Sequence, residues 1–237
     1  MNQPGRKESR FSLDELRYLA REFAHSLLHL GLLLVSAGKW DWLNAWVCIG
    51  LALLSQGINA AVLKKYNPAL LAKRARLIQP GTKPFDKVFV LLYMPIAISI
   101  SIISGLDAVR FGWSNLPGFL NLVGVVIYLA ASVFGSWAMA VNQHFEATVV
   151  IKTDGTQKVC AIGPYQYLRH PGYAAAIIGS ISYPLILGSC WGLILVSLLI
   201  ALFIARTIKE DRVLQEELPG YREYAARVRA RLAPFVW

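Results

Sequence analysis

The sequence has few charged residues for its length. Asp, Glu, Lys and Arg make up 16% of its 237 residues and hydrophobic residues 56%, whereas a soluble globular domain has about 25% charged residues. This composition excludes a disordered chain and argues against a soluble enzyme. Cysteine is also scarce: Cys48, Cys160 and Cys190 have neither the spacing of a metal site nor the even number of a disulfide framework. A polytopic membrane protein is the class that remains.

Motifs of nucleic-acid-binding proteins are missing, although the chain is basic. It carries 24 Lys and Arg against 14 Asp and Glu, a formal net charge of +10. Zinc-finger spacing, an RNA-binding signature and a glycine-rich strand-turn-helix fingerprint are all lacking. In membrane proteins, basic residues collect in cytoplasmic loops. We therefore expect no nucleic-acid partner and interpret the positive charge as a topology signal.

Long runs without a charged residue locate the predicted membrane spans, because crossing about 30 Å of hydrocarbon takes about 20 apolar residues. Such runs cover residues 23–38, 42–63, 88–106 and 111–145, the last with its apolar centre at 116–141. A further run, 171–205, has 35 residues and would be about 52 Å long as one helix. The small residues within 187–192 predict that it is a hairpin of two short spans. The sequence therefore predicts an all-α membrane bundle of about six spans.

The distribution of positive charge supports six crossings. With the N-terminus in the cytoplasm, four segments lie on the cytoplasmic side, namely 1–22, 64–87, 146–170 and 206–237. They hold 22 of the 24 Lys and Arg residues, as the positive-inside tendency requires. A single last helix would instead place the basic C-terminal segment outside.

Composition divides the chain into three parts. Residues 1–22 are charged throughout and predict a cytoplasmic amphipathic segment, and residues 23–141 form a four-span region. The cytoplasmic loop 64–87 has leucines at positions 70, 71 and 77 among basic residues, which suits a helix lying on anionic headgroups. Residues 142–237 contain the motifs that carry chemistry and form the predicted catalytic region.

Two clusters of polar and aromatic residues flank the predicted hairpin. The first is GPYQYLRHPGY at residues 163–173, and the second is RTIKEDR at residues 206–212. Because a hairpin returns the chain to the side of the membrane from which it started, we expect His170 and Arg206 at the same face. Arg206 and Glu210 are four residues apart and therefore share one face of a helix.

These residue types suit the transfer of a group to an ionised acceptor. The planar guanidinium of Arg206 can hold a carboxylate in line for attack. A carboxylate is ionised at neutral pH and needs no general base. An amine or a thiol would have to lose a proton, and His170 or Tyr173 would then be the candidate base.

Plainer interpretations of these residues stay open. Arg206 also fits an interfacial arginine whose charge reaches the headgroups, with Glu210 as an exposed partner of little energetic value. His170 also fits the residue before a helix that starts with proline. Tyr221 and Tyr224 fit packing aromatics of the membrane interface.

His25 and His29 are the ionisable residues that fall inside a predicted apolar centre. Their separation of four residues is a metal-ligand spacing. A third ligand does not accompany them in the sequence. We therefore expect hydrogen bonding between helices and no metal site.

Taken together, these motifs resemble the isoprenylcysteine carboxyl methyltransferase family and its bacterial and archaeal relatives. The resemblance rests on the pattern GPYxYxRHPxY, an apolar hairpin, and then RxxxED…L…YxxY…R…P, and it covers Asn142 to Pro234. The stretch NPALLAKRA also looks like a loop of the prokaryotic members. The wider superfamily includes phospholipid N-methyltransferases, and sterol reductases carry a similar C-terminal pattern.

The resemblance implies a cofactor and the residues that bind it. In this family S-adenosylmethionine lies between a cytoplasmic loop and the C-terminal segment, without a Rossmann sheet. By motif, the resemblance assigns cofactor binding to Tyr165, His170, Pro171, Gly172, Tyr173 and Glu210. By distance from Tyr165 alone, it adds Gln157, Lys158, Val159 and Cys160. Arg206 matches the arginine placed at the substrate and is the predicted catalytic and substrate-binding residue. Asp211 stands where the family pattern has Glu.

The resemblance implies an integral membrane methyltransferase that methylates a carboxylate on an isoprenyl-thioether-like lipophile. The lipophile would enter from the bilayer and the cofactor from the cytoplasm, in a prokaryotic inner membrane. One alternative acceptor is a phospholipid amine or a lipophilic thiol. A nicotinamide-dependent membrane reductase and a non-catalytic membrane protein are further alternatives.

Overall fold

The computed structural model describes residues 11–75, 78, 81–151, 157–234 and 237. Within these ranges the protein is helical and has no β-strand. Its helices are α1 (Leu13–Ala37), α2 (Leu43–Tyr66), α3 (Pro68–Lys73), α4 (Pro84–Gly105), α5 (Phe119–Val141), α6 (Pro171–Leu187), α7 (Cys190–Glu217) and α8 (Tyr221–Arg227). A π-helical turn, Leu106–Arg110, extends α4, and a 3₁₀ turn, Gly163–Gln166, precedes α6. The all-α prediction is confirmed.

Four helices among the described residues are long and apolar enough to cross a membrane: α2, α4 with its π-helical extension, α5 and α7. Helix α6 is apolar but has 17 residues, and the first half of α1 carries charged residues. The polytopic membrane fold is therefore confirmed. The number of six crossings stays a prediction.

The break between α6 and α7 lies in the segment 187–192 that the sequence singled out. Gly188 ends α6 with φ +79°, a left-handed conformation that a side chain would disfavour. The hydroxyl of Ser189 caps α7 by accepting a hydrogen bond from Gly192 N (2.9 Å). Asp107, which is fully buried, accepts hydrogen bonds from Ser189 Oγ (2.6 Å) and Trp191 N (3.1 Å). The carboxylate thus fixes the turn to the end of α4.

The loop 64–87 differs from the predicted interfacial helix. Helix α2 continues to Tyr66, and α3 has six residues. Leu70 and Leu71 are fully buried and pack with Tyr18 and Leu63, so these two leucines face the protein interior rather than headgroups. Position 77 lies outside the described residues. Alternation of leucine with basic residues does not reveal which surface the leucines cover, and here helix α1 covers them.

The helix ends form two groups on opposite faces of the bundle. Helix α5 ends and helix α6 begins at the face where α7 carries Arg206, and we call this the site face. Helices α5 and α6 pack closely, since a Cβ atom on Gly124 would lie 2.8 Å from Ile186 N. The hairpin therefore brings its two ends to the site face, as predicted.

The two faces can be distinguished by labelling cysteine in sealed cells. Cys190 is exposed at the α6–α7 turn, Cys160 is half-buried at the site face and Cys48 is buried. With the orientation that the charge distribution predicts, a membrane-impermeant maleimide should label Cys190 from outside. In a Cys190→Ser protein, an added Glu217→Cys should react only after the cells are permeabilised. Labelling of both positions in intact cells would contradict the hairpin.

Candidate active site

Nearly all the predicted site residues surround one cavity at the site face. The cavity lies between the segment that follows α5, the N-terminal end of α6, the C-terminal part of α7 and α8. The predicted residues that line it are Gln157, Lys158, Val159, Cys160, Tyr165, His170, Gly172, Tyr173, Arg206 and Glu210. Pro171 is the exception. It is buried at the first position of α6, where a missing backbone N–H costs nothing.

His170, Tyr173 and Glu210 form one connected group. The ring of His170 stacks on that of Tyr173, with centroids 5.6 Å apart and an interplanar angle of 4°. The hydroxyl of Tyr173 donates a hydrogen bond to Glu210 Oε2, and His170 Nδ1 lies 3.9 Å from Glu210 Oε1. The start of α6 therefore positions the carboxylate of α7 that the resemblance assigns to the cofactor.

Arg206 is held by a residue that sequence reasoning missed. Its Nε lies 2.9 Å from Oδ1 of Asp86, which is fully buried near the start of α4. Its Nη2 donates to the carbonyl of Ala147 (2.8 Å), and its Cζ lies 4.3 Å from the ring centroid of Phe89 and 4.9 Å from that of Tyr173. Such a cation between aromatic rings is paired, buried and oriented. The interpretation as an exposed, snorkelling arginine is wrong.

Asp86 also binds the segment that follows α5, because its Oδ2 accepts a hydrogen bond from Val149 N. The sequence does hold a signal for it. Asp86 is the one acidic residue of the segment 64–87, which carries seven Lys and Arg. An acidic residue next to the start of an apolar span is costly to bury without a partner, and Arg206 is that partner.

Asp211 connects the C-terminal segment to the start of α6. Its Oδ1 lies 3.1 Å from Arg169 Nη1 and 3.4 Å from His170 Nε2, and its Oδ2 lies 3.1 Å from Arg231 Nε. The hydroxyl of Tyr221 donates to Oδ1 (3.0 Å). The sequence analysis noted this residue only as a departure from the family pattern, whereas the structure makes it the centre of a buried ionic network.

Tyr221 and Tyr224 are interior residues and line the cavity, so their interpretation as interfacial aromatics is wrong. Their exposed fractions are 4% and 2%, and the hydroxyl of Tyr224 donates to the carbonyl of Tyr165 (2.8 Å). Burial raises the pKa of Tyr165, Tyr221 and Tyr224 well above the ordinary value. All three phenols therefore stay protonated at neutral pH. The hydroxyls of Tyr221 and Tyr224 donate hydrogen bonds, whereas that of Tyr165 accepts one from Asn142 Nδ2 (3.0 Å).

Cys160 is a neutral wall residue of the cavity. Burial raises the pKa of its thiol, and the Sγ atom lies 3.6 Å from the carbonyl oxygen of Val141 at the end of α5. Because the thiolate is the reactive form of cysteine, this environment does not favour a nucleophilic role. Next to it, Val159 packs against Leu218 and the tyrosines of α8, which closes the segment 157–160 over the cavity.

The part of the chain that builds the cavity also matches a known family. Residues 122–217 match the model of the isoprenylcysteine carboxyl methyltransferase (ICMT) family. This range contains the start of α6 and the polar part of α7, with His170, Arg206 and Glu210. This segment is similar to that family.

Two rice proteins and one solved structure are similar to the chain. The rice proteins, from Oryza sativa subsp. indica and subsp. japonica, are each named "Probable protein-S-isoprenylcysteine O-methyltransferase" and are 25% identical over 121 residues. The match covers 50% of this chain and 63% of each relative, just under two thirds of the relative's length. The structure of the eukaryotic intramembrane Ras methyltransferase ICMT has a TM-score of 0.61 at 18% identity and covers 87% of this chain and 74% of that one. The solved structure and this chain therefore have a similar fold.

The Asp211 network predicts a strong dependence of stability on one carboxylate. Asp211→Asn keeps the shape of the side chain but leaves the cations of Arg169 and Arg231 without their partner. Breaking a buried ion pair in this way costs about 3–5 kcal/mol. We expect a markedly lower unfolding temperature in detergent, measured by the loss of helical circular dichroism.

Asp14→Asn is the matched control, because Asp14 pairs with Arg17 on an exposed helix surface (2.9 Å). An exposed pair contributes about 0.2–1 kcal/mol, so this variant should melt close to the wild type. Equal melting of the two variants would show that the Asp211 network does not stabilise the fold.

Proposed function

We propose that the protein is an integral membrane S-adenosylmethionine-dependent methyltransferase. The observation that carries the proposal is the cavity at the site face, which combines the carboxylate of Glu210 with the oriented cation of Arg206. Most of its lining residues belong to the segment that matches the family model. The methyl acceptor we propose is the carboxylate of an isoprenylcysteine-like lipophile. It enters from the bilayer, while the cofactor enters from the water at the site face.

The residues of the cavity fit the chemistry of the cofactor. S-adenosylmethionine carries an ammonium and a carboxylate on its amino-acid part. Glu210 offers an acceptor for the ammonium, and its side chain is 17% exposed. The lining segments 157–160 and Tyr165 to Tyr173 are the residues we assign to the rest of the cofactor. The cavity measures about 110 Å³, below the roughly 300 Å³ of a small-molecule site, so we expect its walls to move outward on binding.

In the proposed mechanism, the protein's own residues align the acceptor with the methyl group. When bound, the cofactor supplies a methyl group that its sulfonium makes electrophilic. Arg206 is fixed by Asp86 and Ala147, and among the described residues no further hydrogen bond engages its guanidinium. Its remaining N–H groups can hold an acceptor carboxylate, and the rings of Phe89 and Tyr173 exclude water around it. Orientation and desolvation of an already ionised nucleophile are the main contributions that such a reaction needs.

A second acceptor class has a specific observation in its favour. The stacked pair of His170 and Tyr173 is connected to Glu210, and such a group can take a proton from an amine or a thiol. We keep a phospholipid amine or a lipophilic thiol as the alternative acceptor. We also propose that the protein lies in a prokaryotic inner membrane with the site face toward the cytoplasm, where the basic segments are expected.

The cofactor assignment predicts a binding defect in Glu210→Ala. Loss of a charge-assisted hydrogen bond of about 1.5–3 kcal/mol corresponds to roughly 10- to 150-fold weaker binding. Calorimetry of the purified protein with S-adenosylhomocysteine, which keeps the ammonium, measures it. Glu217→Ala is the control, because Glu217 lies on the same helix and pairs with Lys83 on the exposed surface. Binding of NADPH instead of S-adenosylhomocysteine would favour the reductase and overturn the proposal.

The acceptor assignment predicts that Arg206→Lys is not a conservative change. Lysine keeps the charge but loses the planar fork. We expect a roughly 100-fold loss of turnover, the effect of a misplaced reactant, with S-adenosylhomocysteine binding almost unchanged. Methyl transfer to N-acetyl-farnesylcysteine measures the turnover, and Arg212→Lys, an exposed position of the same helix, is the control.

The pH dependence separates the two acceptor classes. If the acceptor is an amine or a thiol, Arg206→Lys should have a mild effect, whereas His170→Ala should flatten the pH–rate profile because the base is lost. That combination would replace the carboxylate assignment by the alternative. Normal turnover in both variants would place the reaction outside this cavity.

A further inference from the structure

A second and larger cavity lies inside the membrane part of the bundle. It measures about 360 Å³, within the size range of small-molecule sites, and all six long helices contribute to it. Most of its wall is apolar, with Leu30, Ile49, Ile100 and Leu199 among the lining residues. The aromatic side chains of Tyr93 and Phe203 also line it, and the Phe203 ring contacts the Tyr173 ring at 5.7 Å. These rings separate the apolar cavity from the cavity of the site.

A chain of four polar side chains runs along the wall of this apolar cavity. His25 Nε2 lies 3.1 Å from His29 Nε2, His29 Nδ1 lies 2.6 Å from Ser101 Oγ, and Ser101 Oγ lies 3.1 Å from Tyr183 Oη. The chain joins α1, α4 and α6 and confirms the predicted hydrogen bonding between helices. His25, His29 and Tyr183 line the cavity, whereas Ser101 is fully buried.

Counting donors shows that these four side chains cannot satisfy all of their own hydrogen-bond donors. Two neutral imidazoles, a serine hydroxyl and a tyrosine hydroxyl bring four N–H or O–H groups, but three hydrogen bonds join them. At least one donor is therefore left over, and a protonated imidazole would only add another. If His29 donates to His25, the spare donor is His25 Nδ1–H. If His25 donates to His29, all the bonds reverse and the spare donor is the hydroxyl of Tyr183. In either case it belongs to a residue that lines the cavity.

The neighbouring polar residues of the cavity do not use this donor. Glu22 pairs with Arg21 (2.8 Å), and Gln56 donates to Ser26 Oγ (2.8 Å). Among the described residues, the side chains of His25 and Tyr183 form hydrogen bonds only with other members of this group of four side chains. A donor left unpaired in an apolar environment is destabilising. A lone water is a poor partner, since a buried water needs two to four polar contacts.

We propose that this cavity binds a lipophilic molecule whose hydrocarbon body carries a hydrogen-bond-accepting oxygen, such as a carbonyl or hydroxyl oxygen. The apolar wall covers the hydrocarbon, and the spare donor at His25 or Tyr183 binds the oxygen. The three hydrogen bonds among these side chains can all reverse their direction, so the spare donor can bind an oxygen at either end of the group. The proposal concerns binding alone and does not depend on methyl transfer.

The test compares geranylacetone, a ketone with a ¹³C-labelled carbonyl, with a hydrocarbon of the same carbon skeleton. Displacement of a fluorescent lipid from the protein in nanodiscs gives both affinities, and isotope-edited infrared spectroscopy reports the bound carbonyl. We expect a carbonyl band shifted to lower frequency than in nanodiscs without protein, because the carbonyl accepts a hydrogen bond. A band at the same frequency in both samples would overturn the proposal.

One variant changes His25, His29 and Tyr183 to Phe together, because these are the three members of the hydrogen-bonded group that line the cavity. The remaining Ser101 can bond to its own helix. Interhelical hydrogen bonds in membranes contribute little to stability, so we expect this variant to fold. The ratio of ketone to hydrocarbon affinity should fall roughly 2- to 12-fold, and the band shift should disappear.

Ser180→Ala is the matched control. Ser180 lines the same cavity but spends its donor on the carbonyl of Ile177 in its own helix (2.7 Å). The affinity ratio and the band shift should stay as in the wild type. An unchanged ratio in the triple variant, or an equal loss in Ser180→Ala, would show that the chain does not recognise the oxygen. Should the triple variant not fold, the carbonyl band of the wild type decides alone.

Discussion

Arg206 places a positive charge where the apolar part of α7 ends, and the structure has to satisfy that charge inside the protein. A buried ion costs several kcal/mol unless a partner of opposite charge and further hydrogen bonds accompany it. Asp86 is that partner, so the start of α4 must meet α7 at this level. The carbonyl of Ala147 and the N–H of Val149 complete the arrangement. One ion pair thereby fixes two membrane helices and the segment that closes one wall of the cavity.

The adjacent carboxylates of Glu210 and Asp211 divide two tasks between them. Successive residues of a helix point about 100° apart, so the two side chains leave α7 in different directions. Glu210 meets Tyr173 at the cavity, whereas Asp211 binds Arg169 and Arg231 behind it. The carboxylate that faces the cavity can interact with a ligand because its neighbour holds the surrounding chain in place.

The sequence was sufficient to predict the features that depend on length and periodicity. An uncharged run too long for one span, with small residues near its middle, predicted the hairpin and therefore the meeting of His170 with the polar end of α7. The role of Asp86 was not predicted, because its partner lies far along the chain and a single sequence does not show which distant charges pair. The burial of Leu70 and Leu71 escaped for a related reason: which neighbour covers an apolar residue depends on tertiary packing.

Tyr173 lies at the aromatic boundary between the two cavities and has contacts on both sides of it. Its hydroxyl binds Glu210 on the polar side, and its ring contacts Phe203, which lines the apolar cavity. In the proposed reaction, the water-soluble cofactor and the lipid-soluble acceptor reach this boundary from opposite sides. Rotation about the Cα–Cβ bond of Tyr173 would move its ring and its hydroxyl together, because a phenol is rigid. A single side chain therefore contacts both the carboxylate of one cavity and the aromatic wall of the other.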